Sequence, residues 1–133
     1  ALVVMAEGKA KYVFYFIGDG MGVNQVNGTE TYMAAVEGRI GTSPPALHER
    51  VTDSAAGGTA LATGNKTKNG ALGIKSDLTT RINSIAALAK SEGKAVGVTT
   101  SVSVDHATPA SFYAHVKDRN MYHQIGKDLI AAG

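Results

Sequence analysis

Two short apolar runs are separated by longer segments in which apolar and polar residues alternate with helical spacing. Residues 12–17 read YVFYFI, a β-branched and aromatic run that ends at a glycine, and residues 94–101 read KAVGVTTS. Short apolar runs of this kind are typical of strands that are buried on both faces, as in a parallel sheet. We therefore expect both runs to be buried strands.

The segments around these runs have the composition and spacing of helices. The predicted helices cover residues 24–37, 54–63, 83–91 and 121–132. Asp53 or Ser54 would cap the alanine-rich second helix, and Gly93 would end the third. The third and fourth helices each have an apolar side, formed by Ile85, Leu88 and Ala89 and by Ile125, Leu129 and Ile130.

The alternation of strands and helices predicts an α/β fold, with a mostly parallel sheet flanked by helices on both faces. The 133 residues suffice for one domain. Ligands of such sheets bind beyond the carboxyl ends of the strands. Asp19 follows the first predicted strand, and Asp105 and His106 follow the second. We expect these polar residues at one edge of the sheet.

Composition narrows the functional classes. The formal charge of +2, without a cluster of Lys and Arg, argues against a nucleic-acid-binding protein. No run approaches the roughly 18 apolar residues of a membrane span. The chain has no cysteine, which excludes disulfides and thiolate metal sites within it. A metal ion would have to be held by carboxylate, imidazole or hydroxyl groups, which suit Mg²⁺ or a His- and carboxylate-bound zinc ion.

Ser54 lies in the stretch RVTDSAAGGTALATG, where the residues that follow it have almost no bulk. At the start of a helix its hydroxyl would lie among unpaired backbone N–H groups, which bind phosphate. A metal ion that lowered its pKa would make it a nucleophile. The alternative is a plain helix cap with no chemical role. The segment is not the G-x-S-x-G turn of the α/β-hydrolases.

Two further segments supply candidate ligands. Asp19 in FIGDGMG suits a metal-bridging carboxylate, or it bonds its own backbone in a turn. His106 and Thr108 lie two residues apart, so both can face one ligand, unless they only form the capping turn of a short helix. Arg119 can grip phosphate with two N–H groups or be a solvated surface arginine. The remaining histidines are expected to be structural: His48, His115 and His123.

Together these segments resemble a known family. The motifs FIGDGMG, VTDSAAGGTALATGNKTKNGALG and TSVSVDHATPASFYAHVKDRN occur in the order found in the N-terminal portion of alkaline phosphatases. The second and third motifs are long and specific. The resemblance implies that residues 1–133 form the N-terminal part of a single alkaline phosphatase-like α/β domain.

The resemblance implies roles for the phosphate-binding residues. Ser54 matches the nucleophile that becomes phosphoserine. Arg119 matches the arginine that grips two oxygens of the phosphate, and Asp53 matches the residue that helps to hold this arginine. Ser54 and Arg119 are therefore the implied catalytic residues, and Asp53 joins them in binding the substrate.

The resemblance also implies two zinc ions and one magnesium ion. Asp19 matches the carboxylate that bridges a zinc ion and the magnesium, and Ser54 faces zinc. His106 and Thr108 match the pair near the magnesium, of which the first is Asp in some members and His in others. Because imidazole suits zinc better, His106 puts the preference for magnesium at this position in question.

The implied function is hydrolysis of phosphate monoesters through a phosphoserine intermediate. The implied partners are the phosphate monoester and a second copy of the chain or the remaining part of the same protein, with no nucleic acid and no membrane. The family favours a periplasmic or secreted protein. The opening ALVVMAEGKA has the character of the end of a signal peptide, or of a frayed terminus.

The chain departs from the family pattern in two places. No segment after Arg119 resembles the remaining zinc ligands or the magnesium-binding Glu, so we expect a fragment that binds phosphate weakly and lacks a complete zinc site. Residues 41–50, GTSPPALHER, are shorter than the usual segment, as after a deletion or across a gap. Two alternatives remain open: a non-catalytic phosphate- or metal-binding remnant, and a related metal-dependent phosphodiesterase or sulfatase.

Overall fold

The computed structural model describes residues 10–22, 25 and 52–133, and it has four named helices in this part of the chain. They are α1 (Ser54–Thr63), α2 (Ile85–Ser91), α3 (Ala107–Ala110) and α4 (Tyr122–Ala132). Two isolated antiparallel bridges pair Leu72 with Val116 and Ile74 with Arg81. The first bridge ties the loop after α1 to the segment between α3 and α4. Of the described helices, none has the length and apolar character needed to cross a membrane.

Helix α1 begins and ends where the sequence predicts. Asp53 is its N-terminal cap, because the Asp53 side chain accepts a hydrogen bond from the backbone N–H of Ala56 at 2.8 Å. Gly64 follows its end with a φ of 71°, a left-handed conformation that glycine adopts without strain. Seven of its ten residues are buried, all of them alanine, glycine or threonine. Neighbouring segments can therefore approach the helix closely.

The core of the described part forms where α1 packs against α3. Seven buried apolar residues make one cluster: Ala55, Leu72, Ala107, Ala110, Ala114, Val116 and Ile125. Four of the seven are alanine, and such small side chains let the two helix backbones lie close together. The small side chains of this core let α1 and α3 lie close together, and few bulky groups are buried between them.

Helix α2 confirms the predicted helix but not its predicted apolar contact. Ser84 caps it by accepting a hydrogen bond from the backbone N–H of Ala87 at 3.0 Å. Gly93, with a φ of 73°, follows its end as predicted. Ile85 and Leu88 are 60% and 52% exposed, so the apolar side of α2 has no cover among the described residues.

Helix α4 also forms where predicted, and its apolar side is buried in part. Ile125 is fully buried in the core, whereas Leu129 and Ile130 are 37% and 83% exposed. Asp128 on the same helix accepts a hydrogen bond from the backbone N–H of His115 at 2.9 Å. The buried Ile125, this hydrogen bond and the hydrogen bonds from Nζ of Lys90 to the carbonyls of Ala132 and Gly133 therefore hold α4 against the rest.

The two predicted strands are neither paired nor buried in the described part of the chain. Residues 12–17 and 94–101 contain no strand there, and Phe16 is 88% exposed. A central strand is buried only when other strands pair along both its edges and helices cover both its faces. The described residues supply neither for these runs. The expected burial is therefore wrong for this structure, and the parallel sheet is not confirmed.

Several predictions fall on residues outside the described part. One of them is the helix over residues 24–37. In this range only Gln25 is described, and it is helical. The others concern the opening segment, the stretch 41–50 and His48. These stay predictions.

Asp77 organises the loop between α1 and α2. Its carboxylate accepts hydrogen bonds from the hydroxyl of Thr80 at 2.6 Å and from the backbone N–H groups of Thr80 and Thr79, both at 2.8 Å. The same turn holds Leu78 at a φ of 61°, a conformation that leucine rarely adopts. These hydrogen bonds lower the pKa of Asp77 well below its usual value, because they stabilise the ionised carboxylate. The bond from the Thr80 hydroxyl has the largest effect.

We expect this turn to loosen as the pH falls below the ordinary pKa of aspartate. The folded-state pKa of Asp77 is the lower one, so its stabilisation is present above the unfolded-state value of 3.8 and is lost as the pH falls through the folded-state pKa. An NMR titration of the Asp77 carboxyl carbon measures this shift. A midpoint at the ordinary value would contradict it, and Asp77→Ala should remove the protection of the Thr79 and Thr80 amides at every pH.

Candidate active site

The carboxylate of Asp19 joins two hydroxyl groups that lie far from it in the sequence. The hydroxyl of Ser54 donates to Oδ1 of Asp19 at 2.8 Å, and the hydroxyl of Thr108 donates to Oδ2 at 2.7 Å. Ser54 lies 35 positions and Thr108 lies 89 positions after Asp19. Three of the four predicted metal-site residues therefore meet at one carboxylate.

Local structure places each of these side chains at the end of an element. Asp19 lies in a turn between glycines. Ser54 is the first residue of α1, directly after the cap Asp53, so its hydroxyl lies at the positive end of this helix. Thr108 is the second residue of α3, which His106 precedes with an extended backbone. Because α1 packs against α3, the two hydroxyls can reach the same carboxylate.

The pKa of Asp19 lies below its ordinary value. Partial burial acts to raise the pKa, but hydrogen bonds from Thr108 and Ser54 and electrostatic interactions with His106 and Arg119 outweigh this and lower it. All four groups favour the ionised carboxylate over the neutral acid. Asp19 is therefore a carboxylate at neutral pH and can bind a cation.

Arg119 lies beside the start of α1, where Asp53 holds it. Nη1 of Arg119 is 3.2 Å from Oδ2 of Asp53, and the two side chains are 24% and 25% exposed. The backbone N–H of Arg119 also donates to the carbonyl of Gly70 at 2.7 Å. A guanidinium has five N–H donors, so the pair with Asp53 orients the group and leaves donors for an anion.

Two residues that the sequence analysis did not single out complete this arrangement. The backbone N–H of Gly70 donates to Oδ2 of Asp53 at 3.0 Å, the same oxygen that Arg119 contacts. The side-chain Oδ1 of Asn69 accepts the backbone N–H of Asp53 at 3.0 Å. An Asn-Gly pair is a turn signal in the sequence. Nothing in that signal says that the turn reaches Asp53, which lies 17 positions before Gly70.

His106 lies near both Asp19 and Arg119. Its Nε2 is 3.4 Å from Nη2 of Arg119. Because a guanidinium only donates, Nε2 is the acceptor in this contact. Nδ1 is buried and has no hydrogen-bond partner within the described part of the chain. A buried polar atom without a partner is costly, so this position suits a bound ligand or ion.

The other described histidines lie away from this cluster. Nε2 of His115 is 3.2 Å from the carbonyl of Ile82, and its backbone N–H is held by Asp128 of α4, in agreement with its predicted structural role. His123 is exposed on α4. Within the described part of the chain, neither side chain forms a hydrogen bond with Asp19 or Arg119.

In the described part of the chain, the side chains of the candidate site are exposed or half-buried. A cavity of about 560 Å³ lies between α2 and α4, and none of the candidate site residues lines it. Asp19 is exposed, and Ser54 and Arg119 are half-buried. Hydrogen bonds form two groups, Asp19 with Ser54 and Thr108, and Arg119 with Asp53 and His106. The two groups adjoin at the start of α1, where Asp53 precedes Ser54, and Arg119 and His106 act electrostatically on Asp19.

The oxygen atoms around Asp19 fit a hard cation such as Mg²⁺. The carboxylate of Asp19 and the hydroxyl oxygens of Ser54 and Thr108 would be the ligands of such a cation. The fit to zinc is incomplete in the described residues. Among them, no group of three or more His, Cys, Asp or Glu side chains could hold a metal ion. His106 is the imidazole that lies near this cluster.

Similar proteins of known function are phosphatases, which agrees with the chemistry of this cluster. The sequence pattern of the family described as Alkaline phosphatase matches residues 10–131. A streptomycin-6-phosphate phosphatase from Streptomyces griseus is 38% identical, and the match covers 84% of this chain and 28% of that protein. The region that the family pattern matches includes every candidate residue of the site.

Solved structures are similar as well. The alkaline phosphatase of the Antarctic bacterium TAB5 matches with a TM-score of 0.73 and 36% identity, over 85% of this chain and 34% of that one. A histidine-to-aspartate variant of the TAB5 enzyme with Mg bound in its M3 site matches with a TM-score of 0.66 and 32% identity, over 77% and 33%. The chain spans about a third of the length of these proteins, or less. With a family match that includes Asp19, Ser54 and Arg119, this chain belongs to the alkaline phosphatase family.

Proposed function

We propose that the protein hydrolyses phosphate monoesters, with Ser54 as the nucleophile. The observation that carries this proposal is the hydrogen bond of 2.8 Å between the Ser54 hydroxyl and the Asp19 carboxylate, beside an arginine that Asp53 holds at the same end of α1. A nucleophile, a cation-binding carboxylate and an anion-binding guanidinium are the parts that phosphoryl transfer needs. Membership of the alkaline phosphatase family supports the same reaction class.

The proposed reaction has two displacement steps at phosphorus. The Ser54 oxygen attacks phosphorus and loses its proton to water, while the bond between phosphorus and the alcohol oxygen breaks. The departing alcohol takes a proton from water, and Ser54 is left as phosphoserine. A water molecule then attacks phosphorus, the bond to Ser54 breaks, and inorganic phosphate leaves as Ser54 regains a proton.

Positive groups at the start of α1 would stabilise the charge that develops on the phosphoryl oxygens. Arg119 supplies charge-assisted hydrogen bonds, and Asp53 fixes its orientation at 3.2 Å. The N-terminus of α1, whose first residue is Ser54, would add the partial positive charge of the helix dipole at the same place. Because these groups are fixed before the substrate arrives, little reorganisation is needed during the reaction.

We propose Mg²⁺ at Asp19 and Thr108, close to His106, and zinc on the Ser54 side of the Asp19 carboxylate. Each oxygen of Asp19 faces a different hydroxyl, so one carboxylate can serve two ions. Bound divalent cations would lower the pKa of a hydroxyl and offset negative charge at phosphorus. Further zinc ligands are not present in the described residues.

Three chromogenic esters test the reaction class. The purified protein is assayed with zinc and magnesium on p-nitrophenyl phosphate, bis(p-nitrophenyl) phosphate and p-nitrophenyl sulfate. We expect the monoester to be hydrolysed fastest, because Arg119 and the cations bind a dianionic group best. Faster cleavage of the diester or the sulfate would favour a phosphodiesterase or a sulfatase. Phosphate binding without turnover of any ester would favour a non-catalytic phosphate-binding protein.

His106→Asp is expected to raise the affinity for Mg²⁺ by about tenfold. A carboxylate is a harder ligand than an imidazole and adds negative charge next to Asp19, whose charge already interacts with position 106. The Mg-bound histidine-to-aspartate variant of the TAB5 enzyme supports this choice of substitution. Isothermal titration with MgCl₂ measures the affinity.

His123→Asp is the matched control for this substitution. It adds the same charge at an exposed position of α4, so any general effect of net charge appears in both variants. If the Mg²⁺ affinity rises equally in the two variants, the proposal that Mg²⁺ binds close to His106 is wrong.

We also propose that the protein is exported to the periplasm or secreted, and that it acts as a homodimer or together with the remaining part of the same protein. The support for export is the apolar character of ALVVMA in the sequence and the resemblance to the family. Cell fractionation measures the location, and light scattering of the purified natural protein measures the oligomeric state. A cytoplasmic location or a monomer would contradict these proposals.

A further inference from the structure

Gly58 leaves no room for a side chain at the contact between α1 and α3. A Cβ atom built at Gly58 would lie 3.1 Å from Cβ of Ser111 and closer still to its Oγ. It would also lie 3.6 Å from the Cα atom of Thr108. Gly58 is buried, so the neighbouring atoms, and not solvent, occupy the space beyond it. The two helices therefore meet here at backbone distance.

Ser111 cannot move easily out of this contact. Its side chain is 1% exposed, and its hydroxyl donates to the carbonyl of Ala107 at 2.8 Å. Rotating the hydroxyl away would leave a buried donor without a partner, which is unfavourable. An added methyl group at Gly58 would therefore push the backbone of α3 away and would not simply displace a flexible side chain.

The contact lies about one helical turn from each hydroxyl of the active site. Gly58 follows Ser54 by four residues on α1, and Ser111 follows Thr108 by three residues at the end of α3. Ser54 and Thr108 both reach Asp19, at 2.8 Å and 2.7 Å. These distances leave little tolerance, because hydroxyl–carboxylate hydrogen bonds weaken quickly beyond about 3 Å.

We propose that Gly58 and Ser111 are a size-matched pair that sets the spacing of α1 and α3 and so positions Ser54 and Thr108 on Asp19. Both are positioning residues, since neither contacts Asp19 itself. This inference rests on the proposed function only for its activity readout. The spacing of the helices is a structural claim that can be measured separately.

The test compares Gly58→Ala with Gly57→Ala. Both glycines are buried in α1, so both substitutions bring the same gain in helix propensity. A Cβ atom at Gly57 would lie 3.4 Å from Cγ2 of Thr52, which is an ordinary contact. We expect Gly57→Ala to keep the wild-type kcat. We expect Gly58→Ala to lower kcat on p-nitrophenyl phosphate by about 10- to 100-fold, because a small displacement of catalytic groups has effects of this size.

A compensating double variant separates positioning from general damage. Gly58→Ala combined with Ser111→Ala removes the Oγ atom from the contact and leaves the pair of Cβ atoms. We expect this variant to recover most of the kcat that Gly58→Ala loses. Recovery of thermal stability without recovery of kcat would overturn the proposal, as would a Gly58→Ala protein that is as active as Gly57→Ala.

Crystal structures of the variants keep the inference separate from the proposed function. If the wild-type protein hydrolyses no phosphate monoester, the proposed function fails, but a wider α1–α3 separation in Gly58→Ala still supports the spacing claim. An unchanged separation of Ser54 from Thr108 in that structure would overturn it. If Gly58→Ala does not fold, the double variant must fold with a kcat near that of Gly57→Ala, and failure to do so would also overturn the proposal.

Discussion

Replacing Ser54 by alanine is expected to lower kcat for p-nitrophenyl phosphate by at least about 1,000-fold. The variant has no oxygen that could attack phosphorus, and loss of a serine nucleophile in other enzymes costs this much or more. The helix itself should persist, because the cap of α1 is Asp53 and not Ser54. Steady-state kinetics with zinc and magnesium present measures the loss.

Ser91→Ala is the matched control for this prediction. Ser91 is exposed at the end of α2, and its hydroxyl donates only to the nearby carbonyl of Leu88 among the bonds described. This variant should keep wild-type activity. Acid quenching during turnover of a labelled monoester should trap phosphate on Ser54 in the wild type and on no residue in Ser54→Ala. Substantial activity without Ser54 would remove the assignment of the nucleophile.

Helix α1 could be predicted because its signals are local. The Asp53 side chain bonds a backbone N–H only three residues away, and Gly64 supplies the left-handed residue at the end. The same holds for α2, whose cap Ser84 and following Gly93 lie next to it in the sequence. Signals of this kind require no knowledge of the rest of the chain.

Burial of the two apolar runs could not be predicted in the same way. A run such as YVFYFI has the propensity of a central strand, but burial depends on partners that come from elsewhere in the chain. Val13 and Phe16 are 82% and 88% exposed because the described residues provide no such partners. The apolar pattern of a run shows its strand propensity, but it does not show whether other strands and helices will cover it.

The candidate site was predictable in part from the polar residues that follow the two apolar runs and from the helix ends. The expectation that Asp19 and His106 lie near one another agrees with their electrostatic interaction in the structure. The roles of Ser54 and Arg119 depended on the resemblance to the family, because the residues alone favoured a plain helix cap at Ser54 and left a solvated surface arginine open at Arg119. Asn69 and Gly70 were missed, since each of their contacts with Asp53 pairs one side chain with a backbone N–H group that any sequence contains.

Arg119→Ala is expected to weaken the binding of inorganic phosphate by about 10- to 100-fold, because hydrogen bonds to charged groups contribute this much. Asp53 keeps the backbone N–H groups of Ala56 and Gly70 as donors, so α1 should remain capped. The phosphate affinity of Arg119→Lys should lie between those of Arg119→Ala and the wild type, since lysine keeps the charge but lacks the planar guanidinium with its two parallel donors. Competitive inhibition of monoester hydrolysis by phosphate measures the change.

Arg81→Ala separates loss of this guanidinium from loss of positive charge in general. Arg81 is exposed, and its backbone pairs with Ile74 in the loop before α2. It has no hydrogen bond to Asp53 or Asp19 among those described, so its removal should leave phosphate affinity near the wild-type value. If Arg119→Ala binds phosphate as well as Arg81→Ala does, the anion is not held by Arg119. The pair of Arg119 with Asp53 would then be only a clamp between the start of α1 and the turn at Gly70.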